Sequence, residues 1–148
     1  MESTFVLLKP DCAERKIIGQ CLSYFEKKEF DLQIHEIRCI KKPRRQDIFD
    51  HYAHLPAEVV EEICCYFIAS FPLYAVDLRG PEAVAKARAI IGATDPSKAE
   101  KMTIRGDLGV DSFVEAAKRS IGHKAIRNLV HASDSVENAM REWTIWMY

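Results

Sequence analysis

The segment Arg127-Asn-Leu-Val-His-Ala-Ser-Asp-Ser-Val-Glu137 joins a short apolar stretch to the start of a helix. Asp134 and Glu137 have the three-residue spacing of a capping box, which favours a helix after Asp134. Asn128 to His131 is then the preceding strand. The backbone of His131 is held on both sides, with a hydroxyl and a carboxylate nearby, so its imidazole could act as a nucleophile. For a lone histidine, an ordinary strand-to-helix turn is the alternative.

Outward from this segment, strand and helix patterns alternate along the chain. Thr4 to Lys9 and Leu73 to Leu78 are compact apolar strands, and Phe30, Leu32 and Ile34 alternate with polar residues. Helical patterns of apolar residues begin near Asp11, Pro43, Pro56 and Gly80. The order predicts an α+β fold of the ferredoxin-like sandwich type, in which a split βαβ arrangement gives a four-stranded antiparallel sheet with helices on one face.

The bulk composition is that of a small globular protein. The 148 residues contain no repeat, linker or low-complexity tract, which predicts one domain over residues 1–148. A net charge of -1 gives no general attraction to nucleic acid or to an anionic membrane. No secretory signal is visible, so we expect a cytoplasmic protein. The five cysteines are an odd number without zinc-like pairing, which favours reduced thiols.

Five motifs in order resemble those of the nucleoside diphosphate kinase family. Asn128-Leu-Val-His-Ala-Ser-Asp134 is similar to the family's active-site signature, Asn-x-x-His-Gly-Ser-Asp. The other four are Phe5–Asp11, Ile91–Pro96, Thr103–Asp107 and Ala139–Glu142. The resemblance covers nearly the whole chain and implies the same ferredoxin-like fold. It also implies ping-pong transfer of the γ-phosphate from a nucleoside triphosphate, usually ATP, to a nucleoside diphosphate through a phosphohistidine.

The resemblance also implies a role for each matching residue. His131 is the nucleophile, and Ser133 and Glu142 hold its imidazole while Tyr52 packs beside it. The groups that bind the nucleotide are Lys9, Arg88, Thr94 and Arg105 at the phosphates, Asn128 at the sugar and Val60 at the base. Arginine offers forked donors to phosphate oxygens and lysine a point charge. A divalent ion, normally Mg²⁺, would bridge the phosphates with Asp134 near its waters.

Three departures from the family pattern stand out. Val60 occupies, in a gap-free alignment, the position of an aromatic residue that stacks on the base, and Phe67 could substitute. Lys101-Met102 replaces the family's Pro-Gly turn, which commonly contributes to subunit contacts. Asp111 to about Ala125 resembles an insertion and is called the extra segment below. Its apolar residues have helical spacing, so it predicts either a helix at the nucleotide entrance or a surface decoration.

The resemblance implies a closed homo-oligomer, with a hexamer favoured over a tetramer. The carboxy-terminal run from Trp143 to Tyr148 is more apolar than a free tail, so we expect the protein's own core or a neighbouring subunit to cover it. An alternative to the active enzyme is a catalytically weakened relative that serves as a nucleotide-binding or protein-interaction module. The departures motivate this alternative, whereas the intact catalytic motifs favour the enzyme.

Overall fold

The computed structural model of the protein describes residues 1–69 and 71–147. The strands in these residues are β1 (Glu2–Leu8), β2 (Gln33–Ile40), β3 (Leu73–Gly80) and β4 (Val130–Ala132). They form one antiparallel sheet in the order β2-β3-β1-β4. Because β3 separates β1 from β2 and β1 separates β3 from β4, two split βαβ units interleave. This confirms the predicted ferredoxin-like α+β fold.

The helices connect the strands in the predicted alternation. Those in the described residues are α1 (Pro10–Glu14), α2 (Ile18–Phe25), α3 (Arg45–His51), α4 (Ala57–Ala69), α5 (Ala83–Ile91), α6 (Ile104–Leu108), α7 (Phe113–Lys118) and α8 (Val136–Trp146). The first predicted helix is divided into α1 and α2. The short helix α7 lies within the extra segment, where the spacing of apolar residues had indicated it.

Helices cover both faces of the sheet, so the prediction of helices on one face is wrong. Along β1, Val6 and Leu8 pack into a core with α1, α2 and α5. Phe5 and Leu7 pack on the other face with α3, α4 and α8. All four side chains are fully buried. Successive side chains of a strand point to opposite faces, so an uninterrupted apolar run is typical of a strand that is covered on both.

The second strand begins later than the alternation from Phe30 had predicted. Its first residue is Gln33, because residues 28–30 form a turn of 3-10 helix. Asp31 follows this turn with a φ of 51°, in the left-handed region, and separates the turn from the extended strand.

The last helix begins with a different cap from the one predicted. The Ser135 hydroxyl accepts the backbone N–H of Asn138 at 3.1 Å, so Ser135 rather than Asp134 is the N-cap of α8. Serine and aspartate are comparable caps, and the spacing of the sequence does not separate two neighbouring candidates. The carboxylate of Asp134 is therefore available to the cavity described below.

The described part of the carboxy-terminal run is covered by the protein's own core. Trp146 and Met147 are almost completely buried in the core that contains Phe5, as predicted for this run. Tyr148, also part of that prediction, lies outside the described residues. The five cysteines are free thiols. Among residues 1–69 and 71–147, no helix has the length and apolar character needed to cross a membrane.

Candidate active site

A cavity of about 1320 Å³ opens where strand ends and helix starts meet beside β4. Nine of the predicted site residues line it, namely Lys9, Tyr52, Arg88, Thr94, Arg105, Asn128, His131, Asp134 and Glu142. They come from β4, α5, α6 and α8, from the ends of β1 and α3, and from the loops between these elements. The fold thus collects in one place residues that are far apart in the sequence.

His131 is held in the cavity wall by a buried carboxylate. Its Nε2 lies 2.9 Å from Oε2 of Glu142, and the Ser133 hydroxyl donates to the same oxygen. Ser133 also contacts the carbonyl of Phe5 on β1, at 3.2 Å. Glu142 thus fixes the orientation of the imidazole ring, and Nδ1 is the ring nitrogen that this carboxylate leaves unengaged.

The surroundings of His131 keep its ring neutral. Burial lowers the pKa of His131 to about 3, and the positive charges of Lys9 and Arg105 lower it further in the same direction. The imidazole therefore carries a lone pair at neutral pH. Burial raises the pKa of Glu142. A neutral imidazole that is oriented by a carboxylate is the arrangement that a nitrogen nucleophile requires.

Lys9, Asn128 and Thr94 form a chain of contacts across the cavity wall. The Lys9 ammonium donates to Oδ1 of Asn128 at 2.7 Å, and Nδ2 of Asn128 donates to the carbonyl of Thr94 at 2.9 Å. Burial, followed by the charge of Arg105, lowers the pKa of Lys9 to about 8. The side chain of Asn128 therefore links Lys9 to the backbone at Thr94, and it also lines the cavity.

Arg105 is buried and donates hydrogen bonds to three backbone carbonyls. Its guanidinium donates to the carbonyls of Asn128 at 3.1 Å, Gly92 at 3.0 Å and Val130 at 2.5 Å. Burial lowers the pKa of Arg105 to about 10, which leaves it charged at neutral pH. Gly92 is required at its position, since its φ is 85° and a Cβ would lie 2.5 Å from the Thr103 hydroxyl oxygen. Three of the five N–H groups of Arg105 serve these carbonyls, so two stay available to an anion.

The backbone before His131 is strained at Leu129. This buried residue has a φ of 73°, which is rare for a bulky side chain. Its N–H donates to Oδ2 of Asp11 at 3.1 Å, and its carbonyl accepts the N–H of Lys9 at 2.8 Å. The carboxylate of Asp11 is used here and does not cap the first helix, which begins at Pro10. Asp11 therefore supports the turn that aims Asn128 and His131.

The aromatic rings of His51, Tyr52 and Phe5 pack beside the imidazole of His131. The centroid of His51 lies 4.4 Å from that of His131, and the centroid of Tyr52 lies 6.3 Å from it. Nδ1 of His51 accepts the indole N–H of Trp146 at 2.9 Å. The hydroxyl of Tyr52 is buried without a hydrogen-bond partner, so it can donate to a group that enters the cavity.

Asp134 and the charged residues at the cavity rim are exposed. Arg88 extends from the last turn of α5, and Thr94 lies in the following loop. Asp134 accepts a hydrogen bond from Asn138, which lowers the pKa of Asp134 and keeps its carboxylate ionised.

Among the described residues, one cluster of three potential metal ligands lies close together, and it is formed by His51, His131 and Glu142. Its nitrogen-rich donors do not suit Mg²⁺, whereas an ionised carboxylate near phosphate oxygens does.

Val60 does not reach the cavity, so its predicted contact with a base is wrong. It is 1 % exposed and packs in the core on the inner side of α4, and Phe67 packs in the same core. The preceding residue, Val59, is 42 % exposed and lines the cavity with Ile63. One position on a helix changes direction by about 100°, so a gap-free alignment that is displaced by one residue selects the wrong face.

Comparisons with known proteins show the family to which the chain is similar. The family model described as nucleoside diphosphate kinase matches residues 2–148. The chain is 38% identical over 148 residues to a nucleoside diphosphate kinase of Crocosphaera subtropica, with 99% of this chain and 87% of the relative covered. It is 39% identical over 148 residues to that of Trichodesmium erythraeum, with the same coverage of 99% and 87%.

A solved structure shares the fold over nearly the whole chain. The nucleoside-diphosphate kinase of Borrelia burgdorferi, solved as a transition-state mimic with vanadate and ADP, superposes with a TM-score of 0.86 at 28% identity. The alignment covers 98% of this chain and 86% of that one. Sequence, fold and the match over residues 2–148 together place the chain in the nucleoside diphosphate kinase family.

Proposed function

We propose that the protein is an active nucleoside diphosphate kinase in which His131 carries the phosphoryl group. The observation that carries the proposal is the pairing of His131 with Glu142, whose carboxylate lies 2.9 Å from Nε2. It leaves Nδ1 as the nucleophilic nitrogen of a neutral ring that lines the cavity. A related enzyme from Borrelia burgdorferi binds vanadate and ADP as a transition-state mimic, in keeping with a phosphoryl-transfer site.

Transfer proceeds in two balanced half-reactions. Nδ1 of His131 forms a bond to the γ-phosphorus as the bond from that phosphorus to the β,γ-bridging oxygen breaks, and the nucleoside diphosphate leaves. The imidazole keeps its Nε2 proton, and Glu142 balances the positive charge that develops on the ring. In the second half-reaction, a terminal oxygen of another nucleoside diphosphate attacks the same phosphorus and the N–P bond breaks.

The cations of the cavity neutralise the charge that shifts during transfer. The transition state of phosphoryl transfer is loose, so alignment and electrostatic stabilisation supply most of the catalysis. Lys9, Arg88 and Arg105 face the phosphates, and the hydroxyl of Thr94 donates to one of them. Asp134 would help to hold Mg²⁺ through its waters, and the ion would supply further positive charge at the phosphates.

The remaining roles follow from position in the cavity. Asn128 contacts the sugar hydroxyls, and the unpartnered hydroxyl of Tyr52 donates to the phosphoryl group in transit. The alternative of a catalytically weakened binding module is disfavoured, because the nucleophile, its carboxylate and the surrounding cations lie in one cavity. In this proposal residues 1–148 act as one domain, and the cytoplasmic location stays a prediction.

A single exchange assay tests the proposal. The protein is incubated with ATP that is labelled on the γ-phosphate, and the protein and nucleotide fractions are then separated. We expect a labelled protein that loses its label in acid, keeps it in alkali, and transfers it to added GDP or CDP. Absence of both the adduct and the labelled triphosphate would contradict the proposed function.

The alkaline limb of the pH profile of kcat/KM should reflect the deprotonation of Lys9. Lysine is a cation below its pKa and neutral above it, so kcat/KM for ATP should fall as the pH rises through about 8, the lowered pKa of Lys9. A bound triphosphate favours the cation, so the corresponding limb of kcat should lie at higher pH. Lys9→Arg should move the limb of kcat/KM upward, and an unmoved limb would assign it to another group.

The two neighbouring valines of α4 should respond oppositely to phenylalanine. Val59→Phe places a ring at the cavity wall and should tighten ADP binding by about 0.5–1.5 kcal/mol through stacking. Val60→Phe overpacks the core and should cost about 1–3 kcal/mol of the free energy of unfolding. Titration calorimetry and thermal unfolding of both variants check this pair. Tighter ADP binding in Val60→Phe but not in Val59→Phe would show that residue 60, and not residue 59, contacts the base.

We also expect the protein to assemble as a homo-oligomer built from dimers. The strand β2 lies at an edge of the sheet and exposes Ile37, which makes the edge suited to symmetric pairing. The family resemblance favours a hexamer, but Lys101-Met102 replaces the turn that commonly contributes to subunit contacts, so the hexamer has only a modest lead over the tetramer. Light scattering at micromolar concentration should report six or four chains, and a monomer mass would contradict the assembly.

A further inference from the structure

The cavity wall has a cationic part and an apolar part. The apolar side chains that line it include Val59 and Ile63 of α4 and Phe113, Ala117 and Ile121 of the extra segment. A nucleotide is divided in the same way, with polyanionic phosphates and a planar base whose faces are apolar. The inference below rests on the proposed function, since it concerns where that base binds.

The extra segment is a hydrogen-bonded unit rather than a loose loop. The guanidinium of Arg119 donates to both carboxylate oxygens of Asp111, at 2.9 and 2.8 Å, and also to the carbonyl of His123 at 2.6 Å. The backbone N–H of Arg127 donates to the same carboxylate at 2.9 Å. These contacts close the segment on itself and hold its two ends together.

Hydrogen bonds at both ends of the extra segment fix it to neighbouring parts of the cavity wall. At one end, the backbone N–H of Phe113 donates to Oδ2 of Asp95, beside the phosphate loop, at 3.2 Å. At the other end, the Glu62 carboxylate of α4 accepts the N–H of Gly122 at 3.0 Å and that of Lys124 at 2.9 Å. Gly122 has a φ of 90°, which brings these two amides to one carboxylate.

We propose that Glu62 clamps the extra segment against α4, so that the segment forms the second wall of a base-binding slot whose first wall is Val59 and Ile63. Glu62 lies on α4 between these two residues, and its partner Gly122 directly follows Ile121. The clamp therefore sets the separation between apolar side chains of the two walls.

Titration of nucleotide binding tests the clamp, and it needs no phosphoryl transfer. Glu62→Ala should raise the Kd of ADP by about tenfold, the equilibrium factor for the loss of two hydrogen bonds that order the slot. Inorganic tripolyphosphate has no base, so its Kd should stay unchanged. Glu61→Ala is the matched control, because Glu61 is the next residue on α4 and pairs with Arg45 on the surface. It should leave both affinities unchanged.

A second variant separates the slot from general damage to the fold. Ile121 is 87 % exposed, so Ile121→Ser should not alter the melting temperature, yet it should weaken ADP by roughly threefold to tenfold. In turnover, both variants should raise KM far more than they lower kcat. Unchanged ADP affinity in both variants, or equal losses for ADP and tripolyphosphate, would overturn the inference. A failure of wild-type protein to form a phosphohistidine would leave these titrations interpretable and would count against the proposed function alone.

Discussion

His131→Ala should abolish phosphoryl transfer while leaving the protein folded and able to bind nucleotide. The substitution removes the nitrogen that accepts the phosphoryl group, and loss of a nucleophile typically lowers kcat on the order of 10⁶-fold. The side chain is 22% exposed, and Ser133 still donates to Glu142 without it, so little stability should be lost. Steady-state transfer from ATP to GDP and the thermal unfolding temperature measure the two effects.

A second histidine of the cavity supplies the control. His54 also lines the cavity but is exposed and takes no part in the proposed chemistry. His54→Ala should therefore keep both adduct formation and turnover close to those of the wild type. Near-wild-type turnover in His131→Ala would rule out His131 as the carrier of the phosphoryl group.

Arg105→Ala should damage both catalysis and the fold. Removal of one donor to transition-state charge costs on the order of 2.7–4 kcal/mol in barrier, or about 10²–10³-fold in kcat. The three carbonyls that Arg105 serves would lose a charged donor, which should lower the free energy of unfolding by about 2–4 kcal/mol. Kinetics at a temperature well below the melting point, together with chemical denaturation, measure the two losses separately.

Two further arginine variants separate the effect of positive charge on transfer from the effect of the backbone contacts on stability. Arg105→Lys keeps the positive charge but lacks the planar fork, so it should recover part of the rate and little of the stability. Arg88→Ala should lower transfer without loss of stability, because Arg88 is exposed at the end of α5. If Arg105→Ala changes neither transfer nor stability, the guanidinium does not have the role that its contacts indicate.

The order of strands and helices was predictable from the sequence, whereas the placement of the helices was not. Periodicity reports which face of each element is apolar, and it identified the strands and most helices. The uninterrupted apolar run Phe5–Leu8 indicates that β1 is buried on both faces, whereas the order of the elements, from which helices on one face were predicted, does not report the face on which each helix packs. The identity of the α8 cap was ambiguous because Asp134 and Ser135 are equally suitable side chains.

Most residues of the candidate site were predictable because they lie in the motifs. The residues that hold the backbone of the site in place were not predictable. Asp11 reaches the N–H of Leu129 across 118 positions of sequence, and Glu62 reaches Gly122 across 60. No local spacing indicates such contacts. The left-handed backbone of Leu129 also had no signal, since bulky aliphatic residues rarely adopt it and only the surrounding contacts hold it there.

The position of the phosphoryl group on the histidine ring would distinguish Nδ1 of His131 from every other acceptor. The protein is phosphorylated with ATP and Mg²⁺, desalted at alkaline pH and studied by ³¹P NMR, which distinguishes the two nitrogen isomers of phosphohistidine. Because Glu142 engages Nε2 of His131, we expect a single resonance from the Nδ1 isomer. This resonance should disappear on addition of GDP and be absent from His131→Ala. A resonance from the Nε2 isomer, or one that persists in His131→Ala, would rule out Nδ1 of His131 as the phosphoryl acceptor.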